Sequence, residues 1–377
     1  MQKIDEKLLK FVALEQKQCI FECIVYYTDK KQIFDYLNKN NIKIIKDLNF
    51  LNAVAVCFNS EKILKSSKQY FVSYISSVAD VSAMVDVSKK IIKCDNTYLT
   101  GKNVTIAFID TGINSHIDFK LKSNRILAFC DFVNGYSNNY DDNGHGTFVA
   151  GVATGSGLLS GGKYVGISPN ANIISLKALN EKGEATALTI LDAMQWVYDN
   201  HDKFNIKVVC MSFGSEPLGI NDPIMKGAEK LWKEGIAIVS AAGNSGPTRE
   251  TIKSPGVSRR IITVGGLDDN RDTLGNYNER NFKVADFSSR GPAFNRIKPD
   301  LIAPSVNITS CSHLGGYRQM SGTSVATPMV AGLCALIYEK YPNATPDQIK
   351  NYLIYNAKTI FKGKYAEGYG VVQFNLQ

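Results

Sequence analysis

The stretch VTIAFIDTGI, residues 104–113, indicates how the larger part of this chain folds. Its first half is a nearly continuous apolar run, whereas a strand with one face in water alternates apolar and polar residues. The run ends on Asp110, which is followed by a turn. A strand buried on both faces that ends in a polar side chain is typical of an open parallel sheet. In such sheets functional groups collect at the carboxyl ends of the strands.

Four further segments repeat this apolar pattern: NIISLKAL (172–179), KVVCMSF (207–213), IAIVSAAG (236–243) and IITVGG (261–266). Amphipathic segments between them, such as TALTILDAMQWVYDN and DPIMKGAEKLWKEG, predict helices. Strands that alternate with helices are joined by right-handed crossovers, which cover both faces of the sheet. We therefore predict an α/β domain over residues 85–377, with a parallel sheet and helices on both faces.

Residues 1–84 form a separate unit by the same reasoning. Between residues 20 and 78 the pattern is strand, amphipathic helix, two strands, helix and strand. This β-α-β-β-α-β order predicts a small α+β, ferredoxin-like domain. The following segment ADVSAMVDVSKKI (79–91) has no clear period, and we expect it to be a linker.

Composition narrows the class of protein. The formal charge of +8 is spread along 377 residues without a Lys/Arg run, so we expect no nucleic-acid partner. The eight cysteines form no C-x-x-C pair, which favours reduced thiols over disulfides or zinc ligands. No apolar run reaches membrane-spanning length, and the charged N-terminus does not resemble a signal peptide. We expect a cytoplasmic protein with no membrane partner.

The stretch SGTSVATPMVAG (321–332) places hydroxyl side chains before a predicted buried helix. One interpretation is capping, in which a serine or threonine oxygen accepts from the free N–H groups of the helix start. The other is that Ser324 is a nucleophile, because the same N–H groups and the helix dipole can stabilise an oxyanion. The segment alone does not choose between them. A nucleophilic serine also needs a base and a group that orients the base.

Three other polar residues stand at positions where such a site needs them. Asp110 ends a strand, His145 lies between two glycines at a predicted helix start, and Asn244 follows the strand IAIVSAAG. Each residue alone has an ordinary explanation as a turn or capping residue. Together with Ser324 they supply an orienting carboxylate, a base, an amide donor and a nucleophile.

These four segments resemble the signature motifs of the subtilisin-like serine proteases, the subtilase family. The matching motifs are FIDTGI, NGHGT, AAGN and SGTSVATP, and the resemblance covers about residues 100–377. It implies a serine endopeptidase that acts on protein or peptide substrates through an acyl-enzyme. Asp110, His145 and Ser324 would be the catalytic triad, and the side chain of Asn244 would be the oxyanion donor.

Residues 1–84 are similar to the propeptide of this family. The resemblance implies a precursor whose own N-terminal domain inhibits it and which cleaves itself near Ala83-Met84-Val85. The alternative is a binding or targeting domain that stays attached. A competing hypothesis for the whole chain is a pseudoprotease that keeps the subtilase fold as a protein-binding module. A complete triad argues against that hypothesis, because a scaffold does not need it.

The resemblance also implies substrate-binding residues. Extended peptides would pair as an added strand with the exposed backbone edges at residues 183–185 and 212–214. Ala187, Ile190 and Phe213 would leave an apolar pocket for the substrate side chain three residues upstream of the one preceding the cut. Lys253 would lie at or near the floor of the pocket for the residue before the scissile bond. If the Lys253 ammonium points into the pocket, it would favour Glu, Asp or Gln before the scissile bond. If the long side chain instead lets the ammonium reach water, the pocket would stay open to apolar groups. The full predicted set is Gly183, Glu184, Ala185, Ala187, Ile190, Ser212, Phe213, Gly214 and Lys253.

Chemistry of this kind requires no cofactor, and we assign no metal ligands. The loop GLLSGGKYVGISP (157–169) lacks the Asn-rich insertion with which secreted subtilisins bind calcium strongly. Asp118 matches another ligand of that calcium site, which leaves room for weak calcium binding. The run VADFSSRGP and the lack of a signal peptide resemble the intracellular branch of the family.

Overall fold

The structure is a computed structural model of the chain, and it describes residues 3–4, 8–9, 21–77, 85–120, 123–272 and 275–376. The chain divides into two compact units, residues 1–81 and 82–377. Each unit has a hydrophobic core of its own. Within the described ranges, no helix has both the length and the apolar character needed to cross a membrane.

Within residues 21–77, the first unit is a four-stranded antiparallel sheet with two α-helices. Both helices begin at polar caps, because Asp29 and Asn59 accept hydrogen bonds from backbone N–H groups three residues ahead. The elements are β1 (Phe21–Tyr27), α1 (Lys30–Lys39), β2 (Ile44–Leu48), β3 (Ala53–Phe58), α2 (Ser60–Ser67) and β4 (Val72–Ser77). The strands lie in the order β2-β3-β1-β4.

The second unit is built on a mostly parallel sheet. Its strands are β5 (Thr105–Asp110), β6 (Ile126–Asp131), β7 (Asn172–Lys177), β8 (Ile206–Met211), β9 (Ala237–Ala241), β10 (Ile262–Asp268), β11 (Lys283–Val284) and β12 (Leu301–Pro304). They lie in the order β11-β10-β9-β8-β5-β7-β6, and β12 pairs with β10. The β10–β11 pair is antiparallel, so the predicted parallel sheet is confirmed except at this edge. A separate hairpin joins β13 (Ile308–Cys311) to β14 (Tyr317–Met320).

Helices pack on this sheet as the alternating pattern predicts. All six residues of β5 are buried, which requires cover on both faces. The helix α7 (Thr323–Lys340) is buried from Val325 to Tyr338 and packs against β8, β9 and β10, so it is apolar all round. The helices are α3 (Val85–Ile91), α4 (His145–Thr154), α5 (Ala187–Phe204), α6 (Pro223–Lys233), α7 (Thr323–Lys340), α8 (Pro346–Tyr355) and α9 (Lys364–Glu367).

The helix α3 lies where we expect a linker, so that prediction is wrong for residues 85–91. Val87 and Ile91, one helical turn apart, are buried in the core of the second unit. A helix of two turns is too short for its period to show in the sequence, and packing rather than propensity holds it. The rest of the predicted linker, including Ala83 and Met84 of the predicted cleavage site, lies outside the described residues.

Candidate active site

Asp110 and His145 meet at the carboxyl edge of the sheet. Asp110 is the last residue of β5 and is 1% exposed, and His145 is the first residue of α4. Oδ1 of Asp110 lies 2.7 Å from Nδ1 of His145 and accepts from the N–H of Thr111 at 2.8 Å. The carboxylate favours the tautomer with the proton on Nδ1, which leaves Nε2 of a neutral ring free to accept a proton.

The contact depends on a glycine. A Cβ at position 146 would lie 2.1 Å from the carbonyl oxygen of Gly112 and 3.2 Å from the Cβ of Asp110. The first turn of α4 can approach the end of β5 this closely only because Gly146 has no side chain. The NGHGT motif therefore contains a packing requirement as well as a base.

Asp141 holds the loop that carries His145. The residues DDNG (141–144) are typical of a turn, but the Asp141 carboxylate is 5% exposed and accepts five hydrogen bonds. Two come from the hydroxyls of Thr111 and Thr147, and three come from backbone N–H groups of the loop and the first helical turn. Asp141 thus joins the end of β5 to the start of α4.

Electrostatics favour the charged form of the His145 ring. Burial lowers the pKa of His145, but the charge and hydrogen bond of Asp110 and the charge of Asp141 raise that pKa by more. The guanidinium of Arg318 acts in the opposite direction and lowers it. The net effect places the pKa of His145 above its ordinary value of 6.5. An imidazolium that forms during a reaction is therefore stabilised.

Ser324 lies in the first turn of α7 beside Asn244. Oδ1 of Asn244 accepts from the N–H and the hydroxyl of Thr323, at 2.9 and 3.0 Å. These two bonds assign the amide orientation, so Nδ2 remains available as a donor. A Cβ built on Gly322 would lie 3.1 Å from Oγ of Ser324 and 3.4 Å from Nδ2 of Asn244. The hydroxyl and the amide donor therefore flank one small space.

The capping interpretation of this stretch is wrong. The N-cap of α7 is Gly322, and no side chain of that residue can bond the helix start. The hydroxyl of Thr323 instead accepts from the N–H of Gly243 and donates to Asn244, which belongs to the segment after β9. The N-terminal residues of α7 are thereby tied to the predicted oxyanion donor.

Seven of the nine predicted substrate-binding residues line one cavity of about 410 Å³. They are Gly183, Glu184, Ala185, Ala187, Ile190, Phe213 and Gly214. The sequence patterns did not indicate that Leu218, Pro223 and Ile224 also contribute to the wall. These three aliphatic side chains make the cavity more apolar.

Ser212 and Lys253 do not line this cavity. Ser212 is 4% exposed. The stem of Lys253 lies between two glycines, because its side-chain carbons are 2.6 Å from a Cβ built on Gly214 and 2.5 Å from one built on Gly243. Its ammonium group pairs with the carboxylate of Glu216, whose side chain is 81% exposed. Lys253 therefore does not present an unpaired buried charge.

Lys177 is a buried cation near the site. It is the last residue of β7 and is fully buried, and its Nζ donates to the carbonyl oxygens of Thr111 and Leu179 and to Asp142. It braces the turn that follows Asp110. The signal that could have found it is a lysine within the otherwise apolar segment NIISLKAL.

The polar side chains around Asp118 are hydrogen-bonded within the protein. Oδ1 of Asp118 accepts from a backbone N–H, and Oδ2 accepts from the hydroxyl of Tyr317 at 2.8 Å. The guanidinium of Arg125 donates to three carbonyl oxygens, one of them that of Asp118. His116 and Cys311 are close enough to Asp118 to share a metal. However, both ring nitrogens of His116 are hydrogen-bonded, and burial raises the pKa of the Cys311 thiol well above its ordinary value.

Comparisons with known proteins agree with this fold. A sequence profile described as the subtilase family matches residues 101–371. The serine protease AprX of Bacillus subtilis (strain 168) is 39% identical over 333 residues, which cover 82% of this chain and 73% of AprX. Subtilisin DY of Bacillus licheniformis is 34% identical over 280 residues, 74% of this chain and 90% of that protein.

A solved structure shows the same architecture. Sphericase matches with a TM-score of 0.65 and 31% identity, over 76% of this chain and 97% of its own. The fold and the sequence relationship define a subtilisin-like serine protease. The chain belongs to the subtilase family, and this membership implies protein or peptide substrates.

Proposed function

We propose that this protein is an endopeptidase in which Ser324 attacks the scissile carbonyl and forms an acyl-enzyme. His145 takes the proton from Oγ of Ser324 through Nε2 and passes it to the leaving amine, and water then releases the acyl group. Asp110 holds the imidazole tautomer and stabilises the imidazolium. The observation that carries this proposal is the 2.7 Å contact between Asp110 and His145.

Asn244 supplies the oxyanion donor in this proposal. Its Oδ1 is occupied by Thr323, so Nδ2 is the group left to bind the tetrahedral oxygen, together with the N–H of Ser324. One donor of this type contributes about 10²–10³ in kcat, a magnitude that comes from the related enzyme subtilisin. Preorganisation by Thr323 avoids reorienting the amide during the reaction.

Hydrolysis of denatured casein tests the proposed activity. We expect wild type to cleave it, Ser324→Ala to lose at least about 10³-fold in rate, and Ser321→Ala to retain the rate. Ser321 is an exposed hydroxyl three residues away, which makes it a matched control. A correctly folded wild type that cleaves neither casein nor peptides would instead favour the pseudoprotease or binding-module hypothesis.

We also propose that substrate peptides lie as strands along residues 183–185 and 212–214. The apolar wall of the 410 Å³ cavity supports a preference for an aliphatic or aromatic side chain three residues upstream of the one preceding the cut. Pairing of Lys253 with Glu216 supports the alternative in which the ammonium points outward. The pocket before the scissile bond then accepts apolar side chains.

We also make proposals about the maturation of the protein, its cellular compartment and its need for a metal ion. We propose that the N-terminal unit inhibits the enzyme until self-cleavage near residues 83–85, and the separate cores of the two units support this.

Free thiols at the seven cysteines in the described ranges are consistent with the cytoplasm. The closed network around Asp118 supports cofactor-free catalysis with calcium binding no more than weak. Loss of activity in EDTA would contradict that proposal.

A further inference from the structure

A basic cavity lies at the opposite edge of the sheet from Ser324. Arg259 and Arg260 lie within the three residues before β10, and Lys298 and Asp300 lie within the three residues before β12, so the cavity is at the amino ends of these strands. The seven residues of β10 span about 20 Å, which separates the cavity from the catalytic edge. Its volume is about 630 Å³, within the range of small-molecule sites.

The floor of this cavity has more positive than negative charge. Lys298 and Lys350 share one carboxylate, that of Asp300, at 2.6 and 2.9 Å. Both ammonium groups also donate to backbone carbonyl oxygens, so the network is closed. Burial and the charge of Lys350 lower the pKa of Lys298 to about 7 in spite of Asp300. An anion above this floor would favour the charged form of Lys298.

Three guanidinium groups form the rim. Arg259 and Arg296 are exposed and Arg260 is half-buried, and all three also line an adjoining cavity of about 300 Å³. None of their side chains has a hydrogen bond or an ion pair within the part of the chain that the structure describes. The other acid of the cavity, Asp347, already accepts from the indole N–H of Trp232. Glu229 lines the adjoining cavity but accepts from the hydroxyl of Ser258 and forms no ion pair with the rim arginines in the described part of the chain.

We propose that this cavity, rimmed by Arg259, Arg260 and Arg296, binds a small anion that carries two or more linked phosphate groups. Guanidinium groups match phosphate oxygens in pairs, and three of them around one cavity carry more positive charge than the roughly −2 of one phosphate group neutralises. The half-exposed ring of Tyr369 lines the same cavity and offers a stacking surface for a nucleobase. The source of the phosphates is thus either a nucleotide or an inorganic chain.

Calorimetric titration of the full-length Ser324→Ala protein tests the proposal without self-digestion, so its outcome does not depend on the proposed catalytic chemistry. At constant ionic strength we expect saturable one-to-one binding of tripolyphosphate, with orthophosphate at least about tenfold weaker. Arg259→Gln, Arg260→Gln and Arg296→Gln should each weaken tripolyphosphate binding by about fivefold or more. The control Arg280→Gln, at an exposed arginine elsewhere, should change it by less than about twofold.

Two comparisons complete the test. Tighter binding of ATP than of tripolyphosphate, lost in Tyr369→Ala, identifies a nucleotide, whereas equal affinities identify an inorganic phosphate chain. Unchanged melting temperatures without ligand verify that the variants are folded. The proposal is overturned if tripolyphosphate does not saturate the protein, or if Arg280→Gln weakens binding as much as the rim variants. Tighter binding of an oligoglutamate peptide would also overturn it, in favour of an acidic polypeptide site.

Discussion

The contact between Asp110 and His145 sets the pH range in which the proposed base can work. A general base must be neutral before it accepts a proton, so activity falls as the pH drops through its pKa. Asp110 and Asp141 raise the pKa of His145 above 6.5, against the effect of burial. We therefore expect kcat/KM to fall on the acidic side with a midpoint above pH 6.5. At higher pH, where His145 is neutral, kcat/KM should reach its full value.

Arg318 offers a test of this assignment. Its charge lowers the pKa of His145 and its side chain is exposed, so Arg318→Gln should move the acidic limb to higher pH without unfolding the protein. Arg318→Lys keeps the charge and should leave the limb near its wild-type position. The measurement is kcat/KM against pH at low salt, because salt screens an exposed charge. A shift to lower pH in Arg318→Gln would contradict the electrostatic account.

The Lys253–Glu216 pair makes a second prediction at the residue scale. The carboxylate of Glu216 already pairs with the ammonium group of Lys253, so wild type should prefer Leu or Phe over Glu before the scissile bond. Glu216→Gln frees the ammonium, and kcat/KM for the Glu peptide should rise by about tenfold relative to the Leu peptide. In Lys253→Gly combined with Glu216→Gln this gain should disappear. A wild type that already prefers Glu would show that the pairing does not control specificity.

Individual elements show which features a sequence can reveal. The apolar runs predict the strands, and the motifs predict that Asp110, His145 and Asn244 follow strand or helix boundaries, because these signals are local. Asp141 and Glu216 escape prediction, because their roles depend on Thr111 and Lys253, which are 30 and 37 positions away. No local sequence pattern around a turn residue or an exposed carboxylate indicates a partner this far along the chain.

The start of α4 is the element on which the geometry of the base depends. Gly146→Ala places a methyl group against the carbonyl oxygen of Gly112, which belongs to the backbone and cannot move easily. We expect unfolding to become easier by about 2 kcal/mol, and kcat to fall by about 10²-fold because the imidazole shifts from Asp110. Melting temperature and peptide hydrolysis measure the two effects.

Gly227→Ala, in α6, is the matched control. A Cβ there meets the flexible thioether of Met194 rather than backbone, so we expect a change in stability below about 1 kcal/mol and no loss of kcat. Equal effects of Gly146→Ala and Gly227→Ala would show that close approach of α4 to β5 is not required.

At the scale of the whole molecule, the two units lead to a prediction about maturation. If the N-terminal unit is an inhibitory propeptide, active wild type should lose it by cleavage near Ala83, Met84 and Val85. The Ser324→Ala protein should keep its full mass. Adding a small amount of mature wild type to it tests whether one molecule can cleave another. Intact mass spectrometry over time gives the answer. Fully active wild type that retains Met1 indefinitely would instead favour a permanent binding or targeting domain.

The most direct test of the central claim is to identify the residue that a fluorophosphonate probe labels. Because an activated serine attacks this probe, we expect one label per active molecule, on Ser324 in the tryptic peptide that spans residues 319–340. His145→Ala should slow labelling by at least about 10³-fold, since Oγ then has no base. Label on another residue, or an equal rate in wild type and His145→Ala, would contradict the account.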